Sequence, residues 1–142
     1  MVNGQSIYDD GVLQIMRADD PPRLTVRGEI DESTYPGLMG ALRTVADGPA
    51  ELHVDLAGVA YCDLAGLRAI VDMTSARDGG AGRYVILHNV PAQLQTVLAI
   101  VGWNATPGLC VTGRAGADGH ARETQADVLY QAQPRRQDRM EA

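Results

Sequence analysis

The sequence predicts an α/β domain with a mixed β-sheet and flanking α-helices. Two short apolar segments with strand character flank Pro21-Pro22, near the start of the chain. After them, segments with apolar residues three and four apart alternate with short apolar runs, and Gly, Pro and Asp punctuate the joins. Alternating strand and helix signals of this kind imply parallel pairing with right-handed crossovers, and an opening hairpin adds an antiparallel part.

Val12 to Arg17 (VLQIMR) reads as the first strand and Leu24 to Arg27 (LTVR) as the second, joined by a short acidic, proline-containing connection that suits a hairpin. Asp31 is expected to open a helix. Tyr35, Leu38, Met39, Leu42, Val45 and Ala46 then share one helical face, Pro36 falls in the first turn, and Asp47-Gly48-Pro49 stops it. Glu51 to Asp55 (ELHVD) alternates like a half-buried strand. Ala60 to Asp63 is a second apolar step, and Asp63 is placed as a helix N-cap. The next helix carries Leu64, Leu67, Ile70, Val71 and Thr74 on one face and ends at Asp78-Gly79-Gly80. Tyr84 to Leu87 (YVIL) reads as a buried strand. Pro91 starts a third helix with Leu94, Val97, Leu98 and Val101 facing inward and Gly102 as its C′ residue. The domain is expected over residues 10–112. Residues 113–142 read as a flexible polar tail, in which only Val128, Leu129 and Tyr130 are substantially apolar.

At 142 residues the chain has the size of one ordinary domain, and 45% apolar residues place it in the globular class. There is no Phe, so Leu, Val, Ile, Ala and Met must build the core. The net charge of −6 lies wholly in the first 112 residues, which hold seven Arg and thirteen acids. Such a domain repels a phosphate backbone, which argues against nucleic-acid binding. The chain has no Lys, and its Arg-only, Ala- and Gly-rich composition is associated with high-GC bacterial genomes. Met1 to Gly11 has no basic or apolar signal region, and no apolar run approaches the roughly 18–20 residues that cross a bilayer, so no membrane insertion is expected. Cys62 and Cys110 form no CxxC pattern. Free thiols in the cytoplasm are the expectation.

The most informative stretch is Glu51 to Leu67, ELHVDLAGVAYCDLAGL: a strand ending in Asp, a turn, an apolar step, then Asp63-Leu64-Ala65-Gly66-Leu67 opening a helix. With Gly28-Glu29-Ile30-Asp31, the Tyr84–Leu87 strand followed by Asn89-Val90-Pro91, and Val101-Gly102-Trp103, it resembles the anti-sigma-factor antagonist (STAS) family over about residues 10–112. The resemblance implies a single STAS-like domain that binds an anti-sigma factor of the ATPase-kinase type and so releases a sigma factor. It implies a contact surface of Cys62, Asp63, Leu64, Ala65, Gly66 and Arg68, with Asp31, Ser33 and Thr34 beside it. In phospho-regulated members, the residue before the Gly is the Ser or Thr that the partner kinase modifies. Here it is Ala65, which has no hydroxyl. A phosphate at a helix N-terminus would add about −1.5 to −2 charges. Without that switch the surface should keep one charge state. Two other readings stay open: a STAS subunit of a membrane transport complex, or a ligand-sensing regulator. The sequence does not set the oligomeric state.

Each of these residues also has a plainer role. Asp63 and Asp31 are caps first and partner contacts second. Gly66 permits close packing as readily as partner approach. Asp55, ending a strand, invites comparison with a receiver phosphoacceptor. That chemistry needs an acidic pair after the first strand and a Lys, whereas Asp9-Asp10 precede the first predicted strand and no Lys exists. Asp55 is expected instead to bond the Ala57-Gly58 backbone. Cys62 reads as a small buried hydrophobe rather than a redox thiol. His53, His88 and His120 show no metal spacing, and Thr74 and Ser75 are weak phosphorylation candidates. With no phosphate loop and no triad pattern, neither an enzyme nor a cofactor or metal site is expected.

Overall fold

The computed structural model describes residues 4–19, 21–48, 50–75 and 82–113. Among them, strands β1 (Gln5–Asp9), β2 (Leu13–Ala18), β3 (Arg23–Ile30), β4 (Glu51–Cys62), β5 (Tyr84–Val90) and β6 (Leu109–Gly113) form one sheet in chain order. β1, β2 and β3 pair antiparallel, and β3 through β6 pair parallel. Helices α1 (Tyr35–Thr44), α2 (Leu64–Val71) and α3 (Ala92–Val101) make the three crossovers. Right-handed crossovers that step the same way across a sheet place their helices on one face.

Alternation builds the core. Leu13 and Ile15, Leu24 and Val26, Leu52, Val54 and Leu56, Val85 and Leu87, and Leu109 and Val111 are all buried from successive strands. Leu38 and Leu42 of α1, Leu67 and Ile70 of α2, and Leu94 and Leu98 of α3 complete it. The opposite parity is more polar: Thr25, Asp55 and His88 share one register row and are half-buried.

The structure corrects several expectations. Two edge strands, β1 and β6, have no counterpart in the pattern read from sequence, because five-residue edge segments carry little period-2 signal. Asp31 opens a turn, and α1 begins four residues later at Tyr35. Glu51 to Cys62 is one continuous strand that absorbs its irregularity as register shifts against β3, between Thr25 and Arg27 and between Gly28 and Glu29. Leu64 and Val101, expected inward, are 52% and 38% exposed. α2 gives way after Val71 to a 3-10 helix over Asp72–Ser75, and Asp78-Gly79-Gly80 lies outside the described residues. Residues 114–142, and with them most of the predicted tail and His120, also lie outside them. Gly102 is the left-handed C-cap of α3, at φ +81°, as its position after the apolar stripe predicts.

Candidate functional site

The site residues gather where β3 and β4 end. The Asp63 N–H donates to Ile30 O (3.0 Å), which ties the start of α2 to the end of β3. With extended backbone (φ −80°, ψ 173°), Asp63 turns its Oδ1 to accept the Gly66 N–H at 2.9 Å. It is the N-cap the sequence predicts. Gly66 is buried, and a Cβ there would overlap Ile30 Cγ2. Its absence of a side chain is thus a packing requirement between α2 and β3. Ala65 is exposed in the first turn of α2, flanked by exposed Leu64 and by Tyr61 at 54% exposure.

The neighbouring turn is held by its own side chains. Asp31 Oδ1 accepts from the Ser33 hydroxyl (2.8 Å), the Ser33 N–H (3.0 Å) and the Thr34 N–H (3.1 Å). The Ser33 hydroxyl and then the Thr34 N–H hold the Asp31 carboxyl below the usual carboxylate range. Thr34 is 1% exposed; its hydroxyl donates to Glu29 O (2.9 Å) and accepts from the Asp31 N–H (2.9 Å). It positions the turn and presents no surface, and Gly66 likewise acts from within. The outward groups are Glu32, Ser33, Leu64, Ala65 and Arg68, with Asp31, Cys62 and Asp63 half-buried.

Arg68 is held in place: its Nε lies 3.0 Å from Asp72 Oδ1 and its guanidinium carbon 5.2 Å from the Trp103 ring centroid. Cys62 donates from Sγ to Asp63 O (3.4 Å), and burial, then the Asp63 charge, pushes its thiol up to about 12. A thiol so held is a poor nucleophile at neutral pH. Thr74 is buried and donates to Val71 O (3.0 Å). Asp55 Oδ1 accepts the Ala57 N–H (2.9 Å) and the Asn89 amide (3.2 Å), so it braces the irregular part of β4. Asp10 serves the β1–β2 turn, accepting from the Val12 and Leu13 N–H groups, and two strands of the sheet separate β1 from β4.

Two features escaped the sequence. β5 pairs with β4 only as far as His88 opposite Asp55, and where the strands part, a cavity of about 270 Å³ opens between Val59 to Cys62 and the start of α3. The second is a histidine pair: His53 Nδ1 lies 2.8 Å from His88 Nε2, the rings meeting edge to edge and nearly coplanar (17°) with centroids 5.0 Å apart, and His53 Nε2 lies 3.2 Å from Glu51 Oε1. Spacing along the chain hides this pair, which emerges only from the parallel register of β4 and β5. Burial, then the charges of Arg23 and His53, lowers the His88 pKa to about 4. No set of three or more His, Cys, Asp or Glu among the described residues is placed to hold a metal ion. No described helix is long and apolar enough to cross a membrane.

Comparison with known proteins gives a family and a fold. The family model described as "Mlab, STAS domain" matches residues 13–112. The crystal structure of an anti-sigma factor antagonist from Mycobacterium paratuberculosis is similar at 24% identity and a TM-score of 0.57. The match covers 82% of this chain and 99% of that one. No curated protein sequence matches the chain.

Proposed function

Because the chain belongs to the STAS domain family, we propose that it works by binding a protein partner at the α2 N-terminus, as an anti-sigma-factor antagonist. In this reading the partner is an anti-sigma factor of the ATPase-kinase type, and its capture releases a sigma factor. The observation that carries the reading is the exposed cluster of Tyr61, Leu64 and Ala65 around a rigidly capped helix start, with the Asp31 turn bonded beside it. Apolar groups left in water on a well-ordered frame mark an interaction site. The fold neighbour is itself an anti-sigma factor antagonist, in keeping with this assignment.

Ala65 sets the mode of action. It removes the hydroxyl that a kinase would modify, so the surface holds one charge state and binding is constitutive. Binding without a switch also suits a permanent subunit, and this favours a second reading, a STAS subunit of a membrane transport complex. Affinity capture with mass spectrometry, followed by titration of the purified partner, separates the two. An ATPase-kinase-type anti-sigma factor supports the first reading. A transporter ATPase supports the second, and no protein partner at all contradicts both.

A further inference from the structure

We propose that the partner interface extends beyond α2 into the groove between the end of β4 and the start of α3, and that this groove takes an apolar helix flanked by Arg or Lys. The inference rests on the partner-binding reading above and specifies what the partner must present.

α3 has the sequence AQLQTVLAIV, with no charged residue over ten positions. A surface helix ordinarily places charge on its outer face. Here the outer positions are Ala92, Gln93, Thr96, Ala99 and Ile100, with Ile100 77% exposed. Depletion of charge is what distinguishes the centre of a protein interface from ordinary surface. Gln93 and Val97 line the cavity of about 270 Å³, and Ile100 and Val101 continue their stripe at helical spacings of three and four. Val59, Ala60 and Tyr61 of β4 close the other side of the same cavity. The trough flanks the first turn of α3, and exposed Ile100 and Val101 extend its apolar surface by a further turn; together they fit one face of another helix.

Charge selects the occupant. Tyr61 shares a register row with exposed Glu29, and Asp31, Glu32 and Asp63 follow on the adjoining turn and cap. The cation of α2, Arg68, is already bound to Asp72 and Trp103. Exposed Arg27, two residues before Glu29, is one cation against these four carboxylates, so the rim on this side is net acidic and calls for a basic flank on the partner. A second copy of this chain fits poorly, because its own charge of −6 repels it.

The test uses the full chain and the ATPase-kinase-type anti-sigma factors encoded in the same genome, each purified and titrated calorimetrically. Ile100→Asp should weaken binding at least tenfold with an unchanged melting midpoint, whereas Ile100→Leu should bind like wild type. Glu32→Arg should slow association several-fold and flatten its salt dependence. If Ala65→Asp weakens binding but Ile100→Asp does not, the α2 reading stands and the groove proposal falls. If wild type binds none of these proteins, the reading falls and the proposal with it. Light scattering that shows a dimer which Ile100→Asp dissociates would place a second copy in the groove and overturn the basic-helix assignment.

Discussion

Gly66 lies against Ile30 so closely that any Cβ at position 66 would overlap Ile30 Cγ2. This contact seats α2 on β3 and so sets where the exposed residues before and after it stand. Gly66→Ala should destabilise the fold by about 1–3 kcal/mol through overpacking, despite the better helix propensity of Ala. A urea midpoint measures it. In an Ile30→Ala background the same change should cost clearly less, and additive costs in the double-mutant cycle would show that Ile30 is not the obstacle.

The Asp63 cap predicts a second effect. Asp63→Ala loses the bond to the Gly66 N–H and should cost about 1 kcal/mol of stability. Asp63→Asn keeps a capping oxygen and should melt within a few degrees of wild type. If Asn binds the partner much more weakly while folding normally, the carboxylate charge itself contributes at the interface.

Periodicity made much of this architecture legible in advance. Leu38, Leu42, Leu67, Ile70, Leu94 and Leu98 are buried where their spacing places them, because long amphipathic patterns constrain orientation strongly. Asp63 was readable as a cap for the same local reason. What was not legible depends on chain-distant geometry. β1 and β6 are defined by their neighbours in the sheet, and Leu64 fits an apolar stripe yet is exposed because it precedes the part of α2 that meets the sheet. Thr34, in a polar turn, is buried by bonds to Glu29 and Asp31. The groove exists only because β4 and β5 part after Asp55.

The histidine pair predicts a pH dependence. His88 titrates near 4 when folded, against an ordinary value of 6.5. Between these values the unfolded chain takes up a proton that the folded chain refuses. The contribution to stability is therefore complete above about pH 6.5, falls as the pH drops towards 4, and changes no further below. Discounted for solvent screening of a ring that is only partly buried, the loss should be about 1–2 kcal/mol. Denaturation at pH 7 and pH 4.5 should show wild type losing more stability than His88→Gln. Equal losses would mean that acid acts elsewhere.

In the function proposed above, the α2 N-terminus is a partner-binding surface held in one charge state by Ala65. An acid in the first turn of a helix is tolerated or stabilises by about 0.3–1 kcal/mol, so Ala65→Asp should leave the melting midpoint nearly unchanged. At an acidic, desolvated contact the same charge should cost a few kcal/mol of binding. The decisive measurement is calorimetric titration of the captured partner with wild type, Ala65→Ser and Ala65→Asp, alongside a melting curve for each. Ser should bind much as wild type does and Asp at least tenfold more weakly, with all three equally folded. Wild-type affinity in a folded Ala65→Asp protein would contradict it and remove the Cys62–Arg68 surface from the interface.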